Sequence, residues 1–282
     1  MKKPYISAAL YLFVIFIPIS FNSCNQVSKA DSLPKPAIIE VKAKLAEAPV
    51  PKEIVAYDTT DYNNRMIALS NYDSSGKWPA RSPYPLPGAI FPYNRVIAFY
   101  GNLYSKRMGI LGEIPKDSMF KKLQEEVDAW QAADPSVKTL PALHYIAATA
   151  QGLPGKGGKH RLRMPFHQID TIMDWAEQIN ALVFVDIQVG HSTVKEEVPA
   201  LEKYLQMPNV HLGIDPEFSM KNGERPGSKI GTFTAADIND AIDFLAELVR
   251  KNNLPPKVLV VHRFTQGMVT EYEKIKTVPE VQ

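Results

Sequence analysis

The chain has 282 residues, a formal net charge of +2 and 22% charged residues. That length suits one large α/β domain with a leader and a linker. A nearly balanced charge, with no basic stripe and no aromatic residues interleaved with Arg or Lys, excludes a dedicated nucleic-acid binder.

Lys2 and Lys3 make a basic start, and Ala8 to Ile19 an apolar core that is short for a membrane span and contains Pro18. Ser23-Cys24 follows, and Cys24 is the only cysteine in the chain. This arrangement resembles the lipobox of bacterial lipoproteins. The resemblance implies that residues 1–23 are a signal peptide and that Cys24 carries lipid. The mature chain would then be held on a membrane of the cell envelope, at the outer membrane or cell surface. With Cys24 so used, no thiol remains for a disulfide, a nucleophile or a thiolate metal site.

Residues 24–92 read as a Pro-rich tether and N-terminal extension, with poorly defined structure. Leu33-Pro34-Lys35-Pro36, Ala48-Pro49-Val50-Pro51 and Pro83-Tyr84-Pro85-Leu86-Pro87 interrupt any regular element. Between these clusters, Ile54 to Leu69 has enough apolar content to pack on the following domain.

From residue 93 the pattern becomes regular. Arg95 to Tyr100 is a strand ending at Gly101-Asn102, and Ser118 to Ala132 is an amphipathic helix with Ser118 as N-cap. Leu140 to Ala150 is a buried strand, and Phe166 to Ile179 a helix begun by Pro165. Trp130 and Trp175, on the faces of these two helices, read as core. Leu182 to Gln188 is the third strand. The helical stretch Val194 to Leu205 contains Pro199, which delays regular helix to about Val198. Val210 to Ile214 is the fourth strand, Ala235 to Asn252 a helix capped by Thr234, and Val258 to Val261 the fifth strand. Met268 to Ile275 suggests one more helix, and Thr277 to Gln282 the approach to a further strand.

Strands alternating with helices, without hairpin signals, predict a parallel α/β sheet with right-handed crossovers. A (β/α) barrel of TIM type over residues 93–282 is the first expectation, because polar groups recur at successive strand ends. An open doubly wound sheet is the alternative. A full barrel needs eight strand–helix units, so the visible units predict a barrel incomplete at its C-terminus.

The phrases Met108-Gly109-Ile110-Leu111-Gly112-Glu113, Val185-Asp186-Ile187-Gln188-Val189-Gly190, Gly213-Ile214-Asp215-Pro216-Glu217-Phe218 and Val260-Val261-His262-Arg263-Phe264 resemble an uncharacterised family of secreted bacterial proteins. The resemblance covers roughly Tyr93 to the end. It implies export and a barrel of the glycoside-hydrolase kind, and it leaves the reaction open. Asp215-Pro216-Glu217 also resembles the last acidic pair of family 18 chitinases, but Val210 and Gly213 stand where that motif has its earlier acids.

In parallel α/β folds ligands bind at the C-terminal ends of strands. Asp186, Asp215 and His262 end three strands, and alternation would turn Asp215 and Glu217 to one face with Leu212 and Ile214 on the other. Glu217 is therefore the candidate general acid, Asp215 its partner, and Asp186 and His262 the remaining catalytic candidates. Tyr100, Asn102, Glu113, Gln188 and His191 are candidates for substrate binding by stacking and hydrogen bonding. The glycine-rich basic loop Gly155 to Arg163 suits a mobile lid. The first expectation includes no cofactor: His144, His191 and His262 could join the carboxylates around a divalent metal, but no H-x-H or H-E-x-x-H spacing marks one. His211 begins its strand, away from the rim.

The leading reading is a cell-envelope lipoprotein whose barrel binds an extracellular glycan, with its hydrolysis left open as the further step. A metal-assisted hydrolase, of phosphodiesterase or deacetylase type, is the runner-up. A surface binding protein without catalysis is the third.

Overall fold

A computed structural model describes residues 58–76 and 82–282. The leader, Cys24 and the first part of the expected tether lie outside the described residues. Within that expected tether, Thr59–Leu69 is a regular helix, α1, whose N-cap Asp58 accepts hydrogen bonds from the Thr60 and Asp61 amides. None of its residues is buried. It rests instead on the Pro-rich segment, with Tyr62 edge-on to Tyr84 at 5.3 Å and Arg65 over the Tyr93 ring at 5.2 Å.

The domain proper begins with β1 (Asn94–Gly101), the one-turn α2 (Ile110–Glu113) and α3 (Lys116–Ala133), followed by β2 (Lys138–Ala150), β3 (Arg161–Arg163) and α4 (Phe166–Gln178). Next come β4 (Leu182–Ile187), α5 (Val194–Glu197), α6 (Glu202–Leu205) and β5 (Val210–Ile214). The two-residue β6 (Phe233–Thr234), α7 (Ala235–Asn252), β7 (Leu259–Val261) and β8 (Val269–Thr270) complete the order.

Strands β1, β2, β4, β5 and β7 pair side by side in that order, all parallel. The order advances in one direction, without the reversal that a doubly wound sheet requires. The result is a mixed α/β fold whose parallel sheet curls into a half-barrel. Leu143, Tyr145, Val183, Val185, Leu212 and Ile214 point to one face and form the main core with Met119 and Leu123 of α3, Ile169 and Ile172 of α4, and Ile238 and Leu245 of α7. Residues of opposite parity, among them Ala142, His144, Phe184, Asp186, His211 and Gly213, face the other side. Ile90 closes the lower part of that face against Ala142 and Phe184.

The last residues run beside β7. The Gln282 amide donates to Lys257 O at 2.8 Å and Leu259 N to Gln282 O at 2.8 Å, which gives a parallel bridge between Lys257 and Val281. The Gln282 side chain accepts from the Ile90 and Phe91 amides and donates to Phe91 O. It thereby fastens the Pro-rich segment across the N-terminal ends of the strands.

Several local expectations change. Helix α3 starts at Lys116 behind Pro115, so Ser118 is not its cap. Trp130 is exposed, its ring covered only by the Arg95 guanidinium at 5.3 Å, while Trp175 packs edge-on against Phe120. Pro199 does not delay the helix. Thr193 caps a turn of α-helix before it, and a 3-10 turn, Val198–Leu201, accommodates the proline before α6. Met268 to Ile275 is not a helix: β-branched Val269 and Thr270 pair with β6 instead. Among the described residues no helix is long and apolar enough to cross a membrane.

The basic loop is folded, and it contains a hairpin that the sequence did not signal. β3 pairs antiparallel with the end of β2. Arg161 Nε and Arg163 Nε hold the two oxygens of buried Glu197 at 2.8 and 2.7 Å, and Ser192 Oγ donates to the same carboxylate. Burial would raise the Glu197 pKa, but these three donors outweigh it and lower it. Gly190, at φ +59°, lets the loop approach: a Cβ there would overlap His160 O. Glu197→Ala should therefore cost about 3 kcal/mol in urea unfolding, since it leaves two guanidinium groups without their buried partner. A loss below about 1 kcal/mol would show that the loop is held by other means.

Candidate functional site

The middle of β2 and the C-terminal ends of β4, β5 and β7 bring His144, Asp186, Asp215 and His262 together on the inner face. Register explains the meeting. Asp186 pairs with Gly213 of β5, and Ile214 pairs with Val261, so His262 follows directly beside Asp215. His144 sits one alternation below Ile146, the residue opposite Asp186. Just beyond, a bulge at Ala147 shifts β2 relative to β4, a device that re-aims side chains beside sites.

The Asp186 side chain is fully buried, and its Oδ2 receives His144 Nε2 at 2.7 Å and His262 Nε2 at 2.6 Å. Its Oδ1 is buried and has no hydrogen-bond partner among the described residues. Burial alone would push this carboxyl up, but the two imidazole hydrogen bonds outweigh it and hold it at about 2. For His262 burial disfavours the charged ring, while the hydrogen bond and charge of Asp186 raise its pKa overall. Phe184 stacks on His144 at 5.2 Å, and Tyr100 meets His144 and His262 edge-on at 5.0 and 5.5 Å. A nitrogen of each ring and a carboxylate oxygen lie within 4.8 Å of one another, close enough to share one metal ion.

Gly213 is what makes room. A Cβ on it would overlap Asp186 Oδ2 and lie 2.5 Å from His144 Nε2.

Asp215 lies one step past β5. Its Oδ1 accepts the Glu217 amide at 2.9 Å, and Gln188 Nε2 approaches Oδ2 at 3.5 Å. Burial, then the negative charge of Asp186, pushes its pKa up to about 6. Two neighbouring carboxyl groups thus have opposite proton affinities, a pattern associated with acid–base sites. Tyr100 is raised by burial and by the charges of Asp186, Asp215 and Glu217, with a hydrogen bond to Gln188 opposing.

Alternation stops at Asp215. Pro216–Phe218 is a 3-10 turn, so Glu217 does not share a strand face with Asp215. Its charge still reaches Tyr100 and Asp215. Gln188 is buried between Ala150 N, which its Oε1 accepts at 3.0 Å, and Asp215. The Asn102 amide is engaged with backbone: Nδ2 donates to Ile146 O at 2.8 Å, and Oδ1 accepts from the Tyr104 and Ser105 amides. It shapes the bulge rather than offering free groups. Glu113 is exposed on α2. His191 bonds to Glu224 O and lines a separate cavity of about 410 Å³ with Ser192, Ser219, Lys221 and Asp237. Neither of these two residues belongs to the cluster around Asp186. His144, which the sequence offers only as one of several possible metal ligands, is at its centre. Its strand alternation with Ile146 and the glycine opposite Asp186 were the available signals.

No protein-family model and no curated protein matches this chain.

Two outcomes follow from these contacts. Gly213→Ala should cost about 1–3 kcal/mol through overpacking and displace Asp186 Oδ2, the oxygen that His144 and His262 share, read as a fall of the His262 pKa in an NMR titration; an unaltered titration would contradict the crowding. For Asp215 the raised carboxyl favours the folded state fully below the usual 3.8, and this contribution is lost as pH rises through about 6. That displacement corresponds to about 3 kcal/mol. In chelator, Asp215→Asn should therefore be more stable than the parent at pH 7.5, by up to this amount, and equal to it near pH 4. A variant less stable at both pH values would assign the side chain to turn capping alone.

Proposed function

We propose that this chain is an exported hydrolase that binds and cleaves an extracellular glycan at the C-terminal mouth of a TIM-type barrel. The observation that carries the reading is the convergence, from neighbouring strands, of a buried ionised Asp186, two histidines and a second carboxyl, Asp215, poised near 6. A group with that proton affinity is suited to transfer protons near neutral pH. Asp215 is accordingly the proton-transfer residue of the proposal, in preference to Glu217, which takes a supporting position on the following turn. Tyr100 lines the same mouth and suits stacking on a sugar ring, while Gln188 is engaged behind Asp215. The TIM-type reading rests on the one-way strand order and on a helical layer over one face.

Export and anchoring rest on the sequence alone. The basic start, short apolar stretch and Ser23-Cys24 support a lipid-modified lipoprotein of the cell envelope, with the membrane as its partner through Cys24.

The test is turnover of a panel of polysaccharides and their acylated forms by the purified chain, with Asp215→Asn beside it. Loss of about a hundredfold in kcat with the fold retained is expected for a residue that transfers the proton. Glycan binding without turnover in the parent would replace the enzyme by a binding barrel. Turnover unchanged in Asp215→Asn would remove Asp215 from the mechanism.

A further inference from the structure

We infer that His144, Asp186 and His262 form a binding site for one divalent transition-metal ion of the zinc class. The donor set is two imidazole nitrogens and one carboxylate, with all three ligand atoms within 4.8 Å of one another. Zinc and similar ions take such ligands and leave a further position open for water or substrate. Calcium and magnesium prefer sets made of oxygen, and only one of the three residues supplies it.

The pattern of hydrogen bonds gives a second, independent reason. Both imidazoles address the same oxygen, Oδ2, while Oδ1 of the same buried carboxylate has no partner among the described residues. For a group that needs only hydrogen bonds this is wasteful, because an unsatisfied buried acceptor costs about 1–3 kcal/mol. For a group that shares a cation with two rings it is economical: the rings and the oxygen already surround one point, and Oδ1 remains as an additional ligand atom. The environment is also prepared. Gly213 withholds the side chain that would fill the space at Oδ2 and His144 Nε2. Phe184 and Tyr100 fix the His144 ring, and His262, with 30% of its side chain exposed, lies on the open edge.

The fit requires a small adjustment. Two ligands of one tetrahedral zinc lie about 3.3 Å apart, whereas the Nε2 atoms stand 2.7 and 2.6 Å from Oδ2. Loading therefore opens each pair by about 0.6 Å, within the reach of ring rotation, and each neutral ring presents its Nε2 lone pair with its proton on Nδ1, a proton passing to solvent only from a ring that was doubly protonated. The site stands on this geometry alone. What rests on the hydrolytic reading is only that the ion is the positive centre beside Asp215.

The experiment uses the full chain, stripped with chelator and titrated with Zn²⁺ by calorimetry, with bound metal counted by mass spectrometry after gel filtration. One Zn²⁺ per chain is expected. His262→Ala should weaken binding by at least about a hundredfold, and His144→Gln likewise, whereas His167→Ala, an exposed histidine on α4, should leave it unchanged. Circular dichroism melting verifies that each variant is folded, and His262→Ala, at the edge of the cluster, is the variant that decides. No stoichiometric uptake, or uptake that survives in folded His262→Ala, overturns the inference. Zinc bound at the cluster without turnover of any glycan keeps the site and removes the hydrolytic reading. Turnover by a protein that takes up no zinc does the reverse.

Discussion

The Asp186 carboxylate is the constraint around which the inner face is arranged. A charge with no exposure to solvent is tolerated only when it is paired and hydrogen-bonded. Its two donors come from β2 and from the residue after β7, on opposite sides of β4 and β5, so the pairing order of the sheet is a condition of the site. The strand between Asp186 and His262 must carry a residue without a side chain at the crossing point, and Gly213 is there. The bulge in β2, held by the Asn102 amide on Ile146 O, falls just beyond His144. Sequence, register and electrostatics therefore meet at one carboxylate.

The two ends of the same sheet treat their polar groups differently. At the N-terminal end Lys257 is fully buried, donates to Met207 O and Val210 O, and is pushed by burial down to about 7. His211 lies close by, accepts the Val258 amide on Nδ1, and is lowered to about 3 by burial and by Lys257. Both groups are driven toward neutrality, and their bonds tie strands and connections together. At the C-terminal end His262 is raised by a buried anion. Burial lowers both histidines; His262 is raised overall because Asp186 bonds to it, while His211 has no such carboxylate and the charge of Lys257 adds to the effect of burial. The two ends differ in what meets the buried groups: backbone carbonyl and amide groups at the N-terminal end, a buried carboxylate at the C-terminal end.

Much of the fold was legible because its elements are long and periodic. β1, β2, β4 and β5 fall within a residue or two of the expected runs, and α7 starts at Thr234 with a capping box closed by Asp237. The failures have local causes. Apolar spacing puts Trp130 on the same face of α3 as Met119, Leu123 and Val127, but it stands in the last turn, past the buried stripe, and is exposed. Glycines and cations make the basic loop look mobile only as long as their distant partner, Glu197, is unknown, and its identity depends on the fold. Alternation would place Glu217 beside Asp215, and Pro216 ends that alternation. His144 was legible only in combination. A histidine within a strand usually belongs to structure, and the register of three strands is needed to bring it to the acid that Gly213 leaves uncovered.

Asp186 and Asp215 show how two like residues in neighbouring positions acquire different chemistry. Both are buried, and burial pushes both toward the neutral form. Asp186 has two imidazole donors, which reverse the effect. Asp215 has one backbone donor and a distant Gln188 amide, which do not, and the charge secured on Asp186 raises it further. Gln188 is held from behind by the Ala150 amide, so its Nε2 stays directed at Asp215. It cannot add a second strong donor without leaving β2. The proton affinity of Asp215 is therefore set first by burial and then by the charge on Asp186, so a substitution in either histidine acts on both carboxyl groups at once. Such coupling has little use in a surface that only holds the strands together, since two satisfied polar groups would do that at lower cost. It is useful where one group must remain charged while its neighbour gains and loses a proton.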